Sequence, residues 1–150
     1  MRVNIEGKHI PLENIIAANS VQLSETSEFQ AKVNKAHDFL IREIKSGKPI
    51  YGVTTGYGES GKNYLLYDEA KILQINLFRF HGCGVGKNLD EDEAYYMTLI
   101  RMISLSKGYS GISYNLLKRL ELMLNEGILP VVPEQGSVGA SGDLTPLSYL

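Results

Sequence analysis

The chain has 150 residues, 43% of them apolar, which is enough for one domain with a hydrophobic core. Its 15 Lys and Arg residues nearly balance 17 Asp and Glu residues, and no basic run exceeds two residues, so nucleic acid and anionic membranes are not expected partners. The apolar stretches are too short for a membrane span, and the amino terminus lacks a signal-peptide core. We therefore expect a cytoplasmic protein.

The first part of the chain combines a short extended segment with helices. Residues 1–10 predict a strand or hairpin around Gly7, and Pro11 opens a brief helical stretch. Ser24 is the expected cap of a longer helix that Gly47 ends. Apolar residues recur along that helix at a spacing of three and four: Phe29, Val33, Ala36, Leu40 and Ile44.

Three further helices are predicted. One starts near Asp68, carries an apolar stripe formed by Ala70, Leu73, Leu77 and Phe80, and ends in a glycine-broken turn at residues 82–86. The next begins with a capping box of Asp90 and Glu93 and is apolar nearly all round, which is typical of a helix inside a bundle. Ser113 caps the last of the three. Beyond it, residues 128–132 look extended, and Pro146 opens another helix.

Two glycine-rich stretches, residues 50–61 and 135–143, interrupt this helical pattern, and loops of this kind usually serve a site. Residues 56–63 come close to a phosphate-binding P-loop, which leaves a nucleotide-binding module as an alternative function. Asn63, however, stands where a P-loop needs a hydroxyl for Mg²⁺, and Glu59 places negative charge near the phosphates.

The histidines and the cysteine do not predict a metal site. None of the three histidines has a partner at metal-ligand spacing, and Cys83 has no second cysteine to pair with. We expect Cys83 to be a small packed residue. His37 is expected at the surface of its helix, whereas His81, at the mouth of the glycine-broken turn, is a candidate site residue.

The most informative stretch reads Gly-Ser-Val-Gly-Ala-Ser-Gly-Asp-Leu-Thr-Pro-Leu at residues 136–147. It resembles the signature of the histidine, phenylalanine and tyrosine ammonia-lyases and the related aminomutases. In that family an Ala-Ser-Gly tripeptide cyclises and loses water to form a methylidene-imidazolone (MIO). The resemblance implies that Ala140, Ser141 and Gly142 form this group without an external cofactor, and that Gly139 and Asp143 support the loop.

The residue types suit that chemistry. For the Gly142 nitrogen to attack the carbonyl carbon of Ala140, the backbone must bend into a strained five-membered ring, which small residues permit. Loss of the Ser141 hydroxyl group then leaves an exocyclic methylene, an electrophile that ordinary side chains do not offer.

Residues 51–58, Tyr-Gly-Val-Thr-Thr-Gly-Tyr-Gly, are similar to a second family motif. The resemblance implies that Tyr51 is the base that removes the β-proton of the substrate and that Gly58 lies in the substrate-binding loop. A free tyrosine has a pKa near ~10, so this role requires nearby positive charge or hydrogen bonds that lower it.

Two more segments agree with the family. Residues 80–86 look like its substrate-selectivity segment, and residues 104–111 resemble its Leu-Ser-x-Gly-x-Ser-Gly segment. Histidine lyases and some tyrosine lyases have histidine at the position of His81, whereas phenylalanine lyases commonly have Phe-Leu at the pair formed by Phe80 and His81. A ring nitrogen at His81 can hydrogen-bond an imidazole or a phenol, and Phe80 offers an apolar wall. Histidine or tyrosine is therefore the expected substrate, ahead of phenylalanine.

The resemblance implies a mainly helical protein of the aspartase-like lyase fold, with a small amino-terminal αβ portion that bears the MIO loop. The implied reaction is non-oxidative loss of ammonia from an aromatic amino acid, and a 2,3-aminomutase remains an alternative. Family members are much longer homotetramers. We therefore expect residues 1–150 to form the amino-terminal, MIO-bearing domain of a longer lyase whose carboxy-terminal helical domain is absent, and to be inactive alone.

Overall fold

The computed structural model describes residues 1–139 and 145–150, apart from the side chain of Tyr67. Within these residues the fold is mainly helical, as predicted, with four short strands. The helices are α1 (Leu12–Ile16), α2 (Ser27–Lys45), α3 (Tyr67–His81), α4 (Glu91–Ser106) and α5 (Tyr114–Asn125). The strands are β1 (Arg2–Ile5), β2 (Ser20–Leu23), β3 (Val85–Asn88) and β4 (Pro133–Gln135).

The chain divides into two compact units. The first unit comprises Met1–Leu40 and Asp90–Leu129, and the second comprises Ile41–Leu89 and Pro130–Leu150. Each unit is therefore built from two separate stretches of sequence.

In the first unit, β1 pairs in parallel with β2, with Val3 opposite Val21 and Ile5 opposite Leu23. The predicted strand near the amino terminus is confirmed, but its partner comes after α1, so the segment does not form a hairpin. Alternate residues of both strands are buried, as expected for a sheet with one face on a core. The rest of this core comes from α2, α4 and α5: Phe29, Val33, Ala94, Leu99, Met102, Leu105, Leu117, Leu120 and Leu124.

Side chains of α5 cover the outer edge of β2. The side-chain oxygen of Asn125 accepts from the Val21 N–H at 2.9 Å, and its amide nitrogen donates to the Val21 carbonyl at 3.0 Å. Glu121 accepts from the Leu23 N–H at 2.7 Å. These bonds satisfy backbone groups that a third strand would otherwise pair, so a two-stranded sheet is sufficient here.

Two of the three predicted helix caps are confirmed. Asp90 and Glu93 form the capping box of α4, and the Ser113 hydroxyl accepts from the backbone N–H of α5 at 3.3 Å. The prediction for α2 was wrong. Thr26, and not Ser24, accepts from the Phe29 N–H because α2 begins at Ser27.

The second unit contains the end of α2, a loop with a 3₁₀ turn at Gly58–Lys62, α3, a small sheet and a second 3₁₀ turn at Pro146–Tyr149. β3 and β4 pair antiparallel with an irregular register between Val85 and Asn88. The glycine-broken turn after α3 thus leads into a strand. The extended segment predicted at residues 128–132 becomes a strand only at Pro133, and the turn at Pro146 confirms the start of a short helical element.

Among the described residues, no helix combines the length and the apolar character needed to cross a bilayer.

Candidate active site

Three of the four motif segments lie in the second unit: residues 51–58, residues 80–86, and the described parts of residues 136–147. Tyr51, Phe80 and His81 therefore belong to the same compact unit as both ends of the tripeptide loop. Residues 104–111 belong to the first unit.

Two buried threonines hold the loop that carries Tyr51. Thr54 accepts from the Ile50 N–H at 2.8 Å, and Thr55 accepts from the Gly52 N–H at 3.1 Å. The Thr54 carbonyl also accepts from the Leu65 N–H at 2.9 Å. Both hydroxyl groups satisfy backbone groups that burial would leave unpaired, which explains the threonine pair of this motif.

The side chain of Tyr51 is 61% exposed. Its phenol oxygen accepts a hydrogen bond from the Gly58 N–H at 2.9 Å, and its ring meets the Tyr57 ring edge to face with centroids 5.9 Å apart. A backbone N–H donor stabilises negative charge on the oxygen that accepts from it. The phenol group is thus both held in place and open to solvent.

The Gly52 carbonyl, next to Tyr51 in the chain, accepts two hydrogen bonds. The Tyr57 hydroxyl donates at 2.9 Å, and Nε2 of Gln74 on α3 donates at 3.2 Å. Gly52 has a φ of 71°, and a Cβ atom there would lie 2.8 Å from the Tyr57 ring, so the turn requires glycine. Burial raises the pKa of Tyr57, and negative charge on Tyr51 adds to this effect.

Neither Tyr57 nor Gln74 was predicted to have a role of its own. The available signal for Gln74 was its position, because it lies four residues after Ala70 and beside Leu73 on the apolar stripe of α3. A half-buried amide on such a stripe needs a hydrogen-bond partner.

The tripeptide Ala140, Ser141 and Gly142 and the adjoining Asp143 lie outside the described residues. The described flanks meet at the base of the loop, because the Thr145 N–H donates to the Ser137 carbonyl at 3.0 Å. Thr145 is 2% exposed, and a Cβ atom on Gly136 would lie 2.6 Å from its methyl carbon. Gly139 is half-buried. The two ends of the loop are therefore clamped together.

Phe80 and His81 end α3, and their rings meet edge to face at 5.6 Å. Phe80 is 77% exposed, so its predicted place on the apolar stripe does not bury it within its unit, whereas His81 is half-buried. Cys83 is exposed, which corrects the prediction of a packed residue, because it lies in an exposed segment beyond the end of α3.

The segment after His81 is bonded to the elements that flank the tripeptide loop. The Gly84 N–H donates to the Tyr149 hydroxyl at 2.9 Å, and β3 pairs with β4 just before Gly136. A Cβ atom on Gly84 would lie 2.9 Å from the Pro133 ring, so close contact with β4 also requires glycine. Sequence reasoning missed Tyr149, whose partner is 65 residues away.

Residues 11–150 match the family model for aromatic amino acid lyases. The chain belongs to the aromatic amino acid lyase family. It is 40% identical over 153 aligned residues to a histidine ammonia-lyase of Alkaliphilus oremlandii, and the match covers 99% of this chain and 30% of that protein. The chain therefore spans less than a third of the length of this relative.

Solved structures agree with the family and with the predicted lyase fold. A tyrosine aminomutase from Streptomyces globisporus is 36% identical with a TM-score of 0.87, over 99% of this chain and 28% of the other. Ergothionase, an ergothioneine-degrading enzyme from Treponema denticola, is 30% identical with a TM-score of 0.88, over 99% and 30%.

The geometry of residues 58–67 does not match a P-loop. Residues 58–62 form a 3₁₀ turn, and α3 begins only at Tyr67, whereas the helix of a P-loop follows the lysine directly. The Lys62 ammonium group forms an exposed ion pair with Glu59.

The fourth family motif is fixed within the first unit. Nδ1 of His37 and the Gly111 carbonyl are 2.8 Å apart, and a Cβ atom on Gly111 would clash with Leu40. His37 is half-buried, so the expectation that it is a surface residue was wrong. Its ring secures the end of this motif against α2.

Proposed function

We propose that this chain is the electrophile-bearing part of a longer ammonia-lyase. The reaction is non-oxidative elimination of ammonia from an aromatic L-amino acid, histidine or tyrosine in preference to phenylalanine, to give an arylacrylate. The observation that carries this proposal is the unbroken family signature around Ala140, Ser141 and Gly142, within a chain of the aromatic amino acid lyase family.

The MIO group forms from these three residues in this proposal, and it supplies an electrophilic methylene carbon that the substrate engages. The described flanks fit such a group. The hydrogen bond between Thr145 and Ser137 closes the loop at its base. The Thr145 side chain packs against Gly136, where a larger residue would clash with it. When the two ends of the loop are already held together, less conformational entropy is lost on cyclisation. Gly139 and Asp143 are proposed to support the loop.

Tyr51 is the proposed base for the β-proton of the substrate. Its phenol group is exposed, and the Gly58 N–H is directed at the oxygen that would carry negative charge as the phenolate. Gly58 also lies in the proposed substrate-binding loop, and its N–H holds the phenol oxygen of Tyr51 close to the Gly58 backbone.

Phe80 and His81 are the proposed determinants of the substrate ring. Phe80 presents an apolar face, and a ring nitrogen of His81 can donate to or accept from an imidazole or a phenol. Histidine is the first substrate to test because eight curated relatives of 35–43% identity carry the name histidine ammonia-lyase.

A 2,3-aminomutase is the second candidate, because the tyrosine aminomutase from Streptomyces globisporus matches this chain with a TM-score of 0.87. Such an enzyme returns ammonia to the β-carbon and so gives a β-amino acid. Product analysis separates it from a lyase, which accumulates the arylacrylate.

The remaining parts of the site are proposed to come from the longer protein. These include groups that bind the substrate carboxylate, contributed by downstream sequence and by neighbouring subunits of a cytoplasmic homotetramer. The chain alone is therefore proposed to be inactive.

Peptide mass mapping of residues 135–150 in the full-length protein tests the proposal. Loss of two waters, about 36 Da, located at Ala140–Gly142 supports MIO formation. Incubation with histidine, tyrosine and phenylalanine then identifies the substrate and product. An unmodified peptide in a protein that releases no ammonia from any of the three would overturn the proposal.

A further inference from the structure

We infer that Gln74 is a positioning residue for Tyr51 and acts together with Tyr57 through the carbonyl oxygen of Gly52. The inference rests on the proposed role of Tyr51 as the base. It assigns a task to two side chains that do not themselves need to touch the substrate.

The peptide groups on both sides of Gly52 are held by hydrogen bonds. Its N–H, which is shared with the Tyr51 peptide unit, donates to the Thr55 hydroxyl at 3.1 Å. Its carbonyl accepts from the Tyr57 hydroxyl at 2.9 Å and from Nε2 of Gln74 at 3.2 Å. The two donors differ in origin, because Tyr57 belongs to the same loop and Gln74 belongs to α3.

The bond from Gln74 ties the loop of the proposed base to the helix that ends in Phe80 and His81. Two further hydrogen bonds of Gly52 lie within its own loop, namely those with Thr55 and Tyr57. Because α3 carries the proposed ring-binding pair, Gln74 links the position of the Tyr51 phenol to the position of the substrate ring. The rate of proton removal depends steeply on the distance and orientation between the base and the substrate.

The residue type at position 74 supports a specific task. Leu73 and Leu77 are half-buried on α3, and an apolar side chain at position 74 would continue their stripe at no desolvation cost. An amide there is favourable only if its donor is used, and Gly52 provides the acceptor.

Four variants of the full-length enzyme test the inference. Gln74→Met keeps the length of the side chain and removes the donor, Gln74→Asn keeps an amide that is one methylene too short, and Tyr57→Phe removes only the hydroxyl group. The fourth is the double variant Gln74→Met/Tyr57→Phe. Asn76→Met, at an exposed position of the same helix, is the matched control.

We expect kcat to fall about tenfold in each single variant, the effect of one lost hydrogen bond, with KM nearly unchanged. Since both donors serve one carbonyl, the double variant should lose more than the product of the single effects. The kinetic isotope effect with β-deuterated substrate should rise in parallel, while the MIO peptide mass stays at the value of the Asn76→Met control and the protein stays folded at the assay temperature.

A merely structural role would lower the melting temperature and leave the isotope effect unchanged, and that result would overturn the inference. So would a normal kcat in Gln74→Met and Gln74→Asn. If Tyr51→Phe is inactive while these variants are normal, only the positioning role fails. Full turnover by Tyr51→Phe would overturn the proposed base and the positioning role together.

Discussion

The Tyr149 hydroxyl accepts a hydrogen bond from the Gly84 N–H at 2.9 Å. This bond joins the 3₁₀ turn that follows the proposed electrophile loop to the segment that follows His81. Two proposed parts of the site, the electrophile and the ring-binding pair, are thereby linked through one side chain within the second unit.

Tyr149→Phe should loosen this link without abolishing activity. The variant leaves the Gly84 N–H unpaired, which costs about 1–3 kcal/mol when water cannot replace the partner. We expect faster amide hydrogen exchange in residues 82–86 and weaker discrimination between histidine, tyrosine and phenylalanine. Exchange measured by mass spectrometry checks the first effect, and kcat/KM ratios check the second. Tyr109→Phe is the control, because Tyr109 is 88% exposed.

Ser141→Ala should abolish the lyase reaction without unfolding the protein. Alanine has no hydroxyl group to lose as water, so the methylene cannot form. We expect turnover to fall by about 10⁴-fold or more, as when a covalent catalytic group is removed. Ammonia release measures activity, and circular dichroism checks the fold. Near-normal turnover by this variant would exclude the assignment of the electrophile.

Tyr51→Phe should slow elimination by about 10²–10⁴-fold, the usual contribution of a positioned acid or base. The MIO peptide mass should not change, because Tyr51 is not part of the tripeptide. Steady-state kinetics and peptide mapping of the same preparation separate these effects. A variant that lacks both activity and the modified peptide would assign Tyr51 to cyclisation instead of proton removal.

His81→Leu should shift the substrate preference towards phenylalanine. The substitution removes the hydrogen-bonding ring and recreates the Phe-Leu pair common in phenylalanine lyases. We expect kcat/KM for the polar-ring substrate to fall about 10- to 100-fold, the cost of leaving one polar group unpaired, while that for phenylalanine rises or stays constant. His9→Leu, at an exposed histidine of the first unit, is the control for the loss of a histidine as such. Equal losses on all three substrates would contradict the proposed role of His81.

Alkaline pH should weaken the Tyr51 loop through Tyr57. Burial raises the pKa of Tyr57 in the folded protein above the usual value near ~10, so its neutral form is favoured by folding. The resulting stability is fully present below pH ~10. It falls as the pH rises above that value, and it is lost above the raised pKa of Tyr57. Hydrogen exchange of residues 50–58 should therefore accelerate above pH ~10 in the wild type more steeply than in Tyr57→Phe, where this ionisation is absent. If hydrogen exchange in the wild type and in Tyr57→Phe depended on pH in the same way, that result would argue against a raised pKa of Tyr57.

Local sequence determined much of this protein. The caps at Asp90 and Ser113 and the helix stop at Gly47 depend on neighbours a few residues away, and all three were predicted. The tripeptide of the proposed electrophile is likewise contiguous, because cyclisation needs only adjacent residues.

Only the tertiary structure decided the pairings between distant parts of the chain. β1 pairs with β2 across α1, and α5 supplies Asn125 and Glu121 to the free edge of β2 at a separation of about 100 residues. The bonds of Gln74 to Gly52 and of Tyr149 to Gly84 also join distant segments. Periodicity can mark Gln74 as a polar residue on an apolar stripe, but it does not identify the partner. A hydrogen bond between distant segments depends on where the two backbones meet after folding, and not on the residues beside either partner.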